Sequence, residues 1–398
     1  MKKVMIIGAG LLQTYIIKRA KELGYITVCV DGNPDAIGFK YADYCKPINI
    51  IDKEECLQYA QEMKIDGIIT AATDYGVLTV SYIAKRLGLI GNSDQVCEAI
   101  KNKYMTRKIL AENKVDSITE FYEITELTQV DNIAKTIEFP VIVKPCDGSG
   151  SRGINKIDSK EGLKVACEKA MEASLSKKVL IEKFIVGQEY GVESFVHKGE
   201  VNVLAILQKT MTEPPIYAEL GHCSLSGLDH KVEEEIRNKV TKAIKALGIT
   251  TGSVNMDLLI TKNNEIYIVD IGARMGGNLI GSHIVPLSTG IDYMGSIIKE
   301  SLGERIALNR SIFNKVVASR LLTLTPGRVK EVRNMEDVKT IEDVCEVVIN
   351  VKENHTIHEY KSNLDGCGYV VVRNSNAEVA KNKVLELKNE IDKRVIRY

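Results

Sequence analysis

No stretch of the 398-residue chain approaches the roughly 20 consecutive apolar residues that a membrane-spanning helix requires, so the sequence reads as that of a soluble protein. An excess of charge of one sign is lacking too, since Lys plus Arg and Asp plus Glu both number 53. Without a positive surplus there is no electrostatic footprint for nucleic acid or an anionic membrane, and small molecules are the expected partners. The nine cysteines are odd in number and include no C-x-x-C pair, which argues against a disulfide framework or a structural zinc. Several lie in apolar runs, as Cys29 does between Val28 and Val30, where a small buried hydrophobe is enough. A reducing, cytoplasmic location is expected. Met1-Lys2-Lys3 leads directly into Val4-Met5-Ile6-Ile7 and Gly8, which reads as a strand rather than a signal peptide. Tandem repeats and low-complexity tracts are also missing.

What is present is ordinary globular usage, 44% hydrophobic and 27% charged, in a chain long enough for two to four packed units. Over residues 1–90, the apolar runs 4–7, 27–30 and 67–70 predict buried parallel strands, and Leu11, Leu12, Tyr15, Ile16 and Leu23 recur at helical spacing between the first two. A polar helix is expected over 94–113. From residue 139 the pattern predicts a strand, a Gly/Ser loop, a helix and another strand. A second lobe follows with strands 189–197, 201–209, 253–260 and 265–271 and a helix over 233–247. The last eighty-odd residues predict a small α+β domain ending in a helix over 377–391.

Two glycine clusters carry chemistry. Gly8-Ala9-Gly10 follows a strand and opens a helix, and Asp31 ends the next strand about 20 residues on, as in a dinucleotide fingerprint. The third glycine of that fingerprint is Gln13 here, and a helix N-terminus with free N–H groups serves a substrate carboxylate equally well. In the second cluster, Lys144 precedes Asp147-Gly148-Ser149-Gly150-Ser151-Arg152-Gly153. Backbone N–H groups, hydroxyls and a fixed cation are what a triphosphate clamp needs. No G-x-x-x-x-G-K-[ST] occurs, so a P-loop is not the route to that chemistry. Further on, Asp257 and Asp270 fall on two strands joined by the turn Asn263-Asn264, with Arg274 just beyond. Like charges held close call for a cation, and Mg²⁺ takes one or two carboxylates together with phosphate oxygens.

Lysine, glycine loop, hairpin carboxylates and arginine in this order resemble the ATP-grasp superfamily, and within it the carboxylate–amine ligases of the L-amino acid ligase type, with biotin carboxylases and purine-pathway ligases as relatives. The resemblance implies a multidomain α/β and α+β protein: a Rossmann-like pre-ATP-grasp domain over 1–90, a linker helix over 91–118, grasp lobes over 119–186 and 187–310, and a small C-terminal α+β domain over 311–398. It implies that Lys103 of Asn102-Lys103-Tyr104 and Lys144, with Ser149, Gly150 and Ser151, hold the phosphates of ATP. Glu182, Lys183, Phe184 and Ile185 resemble the hinge that meets adenine, and Glu189 the acid that holds the ribose. Glu193 follows on the same strand, where it equally reads as one position of an alternating face.

Glu219-Leu220-Gly221-His222 is similar to the Glu-x-Gly-His of the amino acid ligases, which makes Glu219 a third metal ligand beside Asp257 and Asp270 and puts His222 at the carboxylate site. Gly10, Asp74, Asn278 and His283 are further substrate-side positions. The hairpin departs from the family pattern Glu-Ile-Asn-Pro-Arg, because Gly272 stands where the Asn would complete the metal shell, and this puts a second metal ion in doubt.

The activity implied is phosphorylation of a small carboxylate by ATP with Mg²⁺ (or Mn²⁺), Lys144 and Arg274 acting as catalytic groups, followed by capture of the acyl phosphate by an amine. The partners implied are a small carboxylate and an amine, with no nucleic acid or membrane, and the C-terminal domain as a cap or a homodimer support. Two other readings stay open: a non-catalytic ATP-binding regulator using the same residues, and an NAD-dependent oxidoreductase using the Gly8-Ala9-Gly10 turn and Asp31.

Overall fold

Apolar runs favour burial on both faces, and three of the four N-terminal strands, over 3–7, 26–31 and 67–70, are buried in this way, while the edge strand over 44–47 is largely exposed. Strands β1 (Lys3–Ile7), β2 (Ile26–Asp31), β3 (Tyr44–Pro47) and β4 (Gly67–Thr70) form a parallel sheet in the order β3-β2-β1-β4. Helix Thr14–Glu22 connects β1 to β2, Lys53–Met63 connects β3 to β4, and Val77–Leu87 follows β4, giving the expected Rossmann-like unit. The computed structural model describes residues 1–118, 120–148, 152–214, 216–225, 227–311 and 315–398.

The helix expected over 94–113 is two helices, Asp94–Lys101 and Lys103–Glu112. Asn102 breaks it by adopting an extended conformation, from which its side chain accepts hydrogen bonds from the N–H groups of Tyr104 at 3.0 Å and Met105 at 3.2 Å. Asparagine favours this N-cap role because its short amide satisfies donors that the first helical turn leaves free.

The first lobe is an antiparallel sheet of β5 (Phe121–Ile124), β6 (Val141–Pro145), β7 (Asn155–Ile157) and β8 (Val179–Lys183), in the order β5-β8-β6-β7, packed on helix Leu163–Ala173. The second lobe contributes β9 (Gln188–His197), β10 (Glu200–Met211), β11 (Glu219–Cys223), β12 (Gly252–Ile260) and β13 (Ile266–Gly272). Its helix His230–Ala246 buries Val232, Ile236, Val240, Ala243 and Ile244, an apolar stripe of helical period, against one face of this sheet.

The C-terminal region divides its strands between the sheet of this lobe and a small three-stranded sheet of its own. Its strands β14 (Val316–Leu321), β16 (Val344–Ile349) and β18 (Gly368–Asn374) extend the lobe's sheet to eight strands in the order β13-β12-β9-β10-β11-β14-β18-β16. Only β15 (Gly327–Val332), β17 (Thr356–Ile357) and β19 (Val395–Arg397) pair separately, and helix Ala377–Arg394 covers a core of its own. On the opposite face a second core joins Val4, Ile6 and Ile16 of the N-terminal domain to Phe195, Leu207, Tyr293, Val317 and Val371. The parallel sheet is therefore fixed against the large one, and the loops between them form the walls of a cleft. All nine cysteines are free thiols, and among the described residues no helix is long and apolar enough to cross a membrane.

Candidate active site

The first glycine turn serves the fold. Gly8 sits at a φ of +99°, a region open to glycine, and its N–H donates to Val30 O at 2.9 Å. Asp31 closes the turn, with Oδ2 accepting from Ala9 N at 2.8 Å and Oδ1 from Asn33 N at 2.9 Å. Gln13, in place of the third glycine, is buried and donates to Ala71 O at 2.5 Å. With both Asp31 oxygens engaged in the turn and Gln13 filling it, the ground for a dinucleotide reading is removed. Gly10 does not line the cleft. The turn instead steadies residues 71–74, and Ala72 N donates to Met275 O at 3.1 Å, which joins them to the loop after β13.

The hairpin of β12 and β13 places Asp257 opposite Asp270 and Asn255 opposite Gly272. These four residues line a cleft with Asp74, Lys101, Lys103, Gly148 and Arg274. The Asn102 cap and a 2.8 Å hydrogen bond from Lys103 N to Cys146 O point Lys103 at Asp270, with which it forms an ion pair. Burial alone would lower Lys103, but Asp270 beside it holds the ammonium above its ordinary value. Arg274 is gripped from two sides: Nε and Nη2 donate to Asp74 Oδ1 and Oδ2 at 2.8 and 3.2 Å, and Nη1 donates to Asn255 Oδ1 at 3.3 Å.

This pair explains the departure at Gly272. A Cβ there would lie 2.9 Å from Asp74 Oδ1 and 3.2 Å from Arg274 Cζ, so a side chain at this position would have to displace the ion pair. Asn255 brings an amide to the same place from the opposite strand, but both its ends are engaged, since Nδ2 donates to Glu193 Oε2 at 2.9 Å. Glu193, wholly buried, also accepts from Gly276 N at 2.9 Å and Tyr293 Oη at 2.7 Å.

Lys144 lies one layer behind the cleft, at the end of β6. Its Nζ is 2.6 Å from Glu182 Oε1, and Arg107 Nε is 2.8 Å from Glu182 Oε2. Arg107 Nη1 reaches Asp116 Oδ2 at 3.1 Å and Ile268 O at 2.7 Å, tying the first lobe to β13. Burial pushes Glu182 up, but Arg107 and Lys144 outweigh it and hold the carboxyl down at about 2. The Glu182 carboxylate thus faces inward to two cations, while Lys183, Phe184 and Ile185 carry the chain from β8 across to β9. Phe184 N donates to Pro140 O at 3.0 Å, and the Phe184 ring stands 6.0 Å from Tyr217.

Ser149, Gly150 and Ser151 lie outside the described residues. The two flanks of their loop are anchored to the N-terminal side: Lys101 Nζ donates to Asp147 O at 2.8 Å, and Arg152 Nη2 to Tyr75 Oη at 2.6 Å.

A second charged cluster centres on Lys209, which sequence reasoning missed. Lys209 Nζ is 3.0 Å from Glu219 Oε2, 3.1 Å from Asp257 Oδ1 and 3.5 Å from Glu189 Oε2. Burial would lower this lysine, yet Asp257, Glu219 and Glu189 hold it well above the usual range. Burial pushes Glu219 up, and His222, Lys209 and the Asn278 amide bring it down to about 2. Burial keeps His222 below its ordinary value and therefore neutral near pH 7, so Lys209 is the cation that matters for Glu219. Asn278 donates to Glu219 and accepts from Tyr369 Oη at 2.9 Å, while His283 lies farther out, 3.3 Å from Glu346. The signal for Lys209 was a lysine two residues beyond the apolar run 203–207 of β10, opposite His222. Asn255 and Lys101 were missed as well.

An open cleft between a Rossmann-like domain and a two-lobed, two-sheet unit, with carboxylates paired across a hairpin, is the arrangement of the ATP-grasp fold. The ATP-grasp domain family matches residues 137–282, and the family described as L-amino acid ligase C-terminal domain 2 matches residues 320–395. Among solved structures, the chain resembles an L-amino acid ligase from Bacillus licheniformis, with a TM-score of 0.85, 23% identity and 98% of each chain covered. It also resembles a phosphoribosylglycinamide synthetase from Anaerococcus prevotii, with a TM-score of 0.80, 25% identity and 98% of each chain covered. The carbamoyl phosphate synthase large chain of Thermotoga sp. (strain RQ2) is 26% identical over 298 residues, or 69% of this chain. That match spans 26% of the synthase, so this chain covers about a quarter of its relative's length.

Whether the residues suit Mg²⁺ is decided by the donor set. Among the described residues no group of three or more His, Cys, Asp or Glu side chains forms a self-sufficient metal site. Asp257 and Asp270, opposed across the hairpin, supply the one or two carboxylates that Mg²⁺ takes when phosphate oxygens complete its shell. The pair fits an ion that arrives with a phosphate ligand.

Proposed function

We propose that the protein is an ATP-dependent carboxylate–amine ligase, which phosphorylates a small carboxylate, such as that of an amino acid, and couples it to an amine with release of ADP and phosphate. The observation that carries the reading is the convergence of Lys103, Asp257, Asp270 and Arg274 on one cleft closed by Asp74 of the N-terminal domain. Phosphoryl transfer asks for positioning and charge neutralisation rather than a nucleophilic side chain, and this set supplies both.

In this reading the nucleotide enters between the lobes, with its adenine beside the crossing formed by residues 182–185 and its ribose near Glu189. Lys103 exchanges its ion pair with Asp270 for the triphosphate, and the loop through Ser149, Gly150 and Ser151 covers the phosphates. Lys144, held by Glu182, adds a fixed positive charge behind β13. Asp257 and Asp270 would hold a Mg²⁺ ion, whose chemistry there would be charge neutralisation of the phosphate oxygens. Arg274, oriented by Asp74 and Asn255, faces the place where the carboxylate and the γ-phosphoryl group meet and steadies the acyl phosphate until the amine displaces phosphate. His222 and Asn278 stand on the substrate side.

The test is phosphate release from Mg-ATP across pools of amino acids and other small carboxylates, each with an amine, using the purified protein and Asp270→Ala. Release confined to one pool and reduced at least 100-fold by the substitution is the expected result. ATP binding with no release from any pool would replace the ligase with an ATP-binding regulator.

A further inference from the structure

The mechanism leaves Lys209 without a task, although three carboxylates surround it. Its side chain is 4% exposed, and its ammonium lies between Asp257 Oδ1, Glu219 Oε2 and Glu189 Oε2 at 3.1, 3.0 and 3.5 Å. The three acids come from β12, β11 and β9, while Lys209 comes from β10, between β9 and β11 in the sheet. Sheet pairing fixes its backbone, Gln188 Nε2 donates to its carbonyl oxygen at 2.7 Å, and it stands opposite His222. A buried ammonium is tolerated only where carboxylates compensate it, and here three do. Oxygen donors from several strands converging on one positive charge are also what a divalent cation would receive in a site that holds two ions about 4 Å apart.

A second observation points the same way. Position 272 offers no donor, because the Asp74–Arg274 pair occupies its space, and the Asn255 amide opposite is engaged at both ends by Arg274 and Glu193. A second ion beside Asp257 would meet a lysine where it needs an oxygen.

We propose that Lys209 is the resident second cation of this site, so that the protein takes one divalent ion with each nucleotide, held by Asp257 and Asp270. The lysine fills the place between Asp257 and Glu219 where a second ion would stand. This rests on the ATP-dependent reading above. It gives Glu219 the task of holding Lys209 rather than a metal, and makes one face of Asp257 permanently neutralised while the other faces Asp270.

The experiment counts Mn²⁺ by electron paramagnetic resonance on the full chain with a non-hydrolysable ATP analogue, while equilibrium dialysis of the labelled analogue counts nucleotide separately. Wild type and Lys209→Arg are expected to hold one Mn²⁺ per bound nucleotide, and Lys209→Gln two. Two Mn²⁺ per nucleotide in wild type would overturn the inference alone and leave the ATP reading intact, as would a single Mn²⁺ in a folded Lys209→Gln. Absence of nucleotide binding in wild type would overturn both. If circular dichroism shows Lys209→Gln unfolded, the wild-type and Lys209→Arg counts decide the question.

Discussion

Glu193 accepts three hydrogen bonds, from Gly276 N, Tyr293 Oη and Asn255 Nδ2, yet burial outweighs them and pushes its carboxyl up from 4.5 to about 7. Between those two values the folded protein keeps a proton that the unfolded chain has released, so stability falls as pH rises through the window. The loss is on the order of 3 kcal/mol by linkage. Glu193→Gln should remove that slope: urea midpoints of the variant, followed by circular dichroism, are expected to change less between pH 4.5 and 7 than those of wild type. Parallel curves would show that Glu193 does not hold the proton. Glu182 has the opposite sign, since its carboxyl is held down at about 2, and the stability it contributes is present above pH 4.5 and lost as pH falls toward 2. At this scale the sequence shows only side chains that sit in a recognisable order. Lys103, Asp257, Asp270 and Arg274 were legible because family order and local spacing mark them. Lys209, Asn255 and Lys101 were not, because each acts through neighbours on other strands, and strand order is not written in local spacing.

The elements explain why some sequence patterns mislead. The polar run over 94–113 has helical period throughout, and only the competition of the Asn102 side chain for backbone N–H groups divides it. That division aims Lys103 at the hairpin, so the break is what makes the lysine useful. The hairpin holds the second case. Gly272 looks in the sequence like the loss of a ligand, but in the structure it leaves room for a guanidinium–carboxylate pair from two domains. Gly272→Asn, which restores the family residue, should therefore lower activity. The new side chain meets Asp74 and Arg274, and a stability loss of about 1–3 kcal/mol is expected from overpacking. Thermal denaturation and the phosphate-release assay check this together. A variant with unchanged melting and raised turnover would mean that the asparagine had been missing as a ligand after all.

Across the whole molecule, the sequence pattern predicts the four regions but not how they join. The C-terminal strands read as a domain apart because local pattern carries no information about which sheet a strand enters. In the structure β14 pairs with β11, Tyr369 holds Asn278, and Tyr360 donates to the carbonyl oxygen of Glu219. Removing residues 311–398 would bare the edge of β11 and the apolar face formed by Phe195, Leu207 and Tyr293. The shortened chain is expected to aggregate, as size-exclusion chromatography would show, and a folded, monomeric product would refute that.

A sheet that runs unbroken from the hairpin of β12 and β13 into β14, β18 and β16 also limits how such a protein can change over time. Exchange of the C-terminal segment between relatives would have to restore strand register across the edge shared by β11 and β14, so point substitution within the sheet disturbs the fold less than a change of cassette.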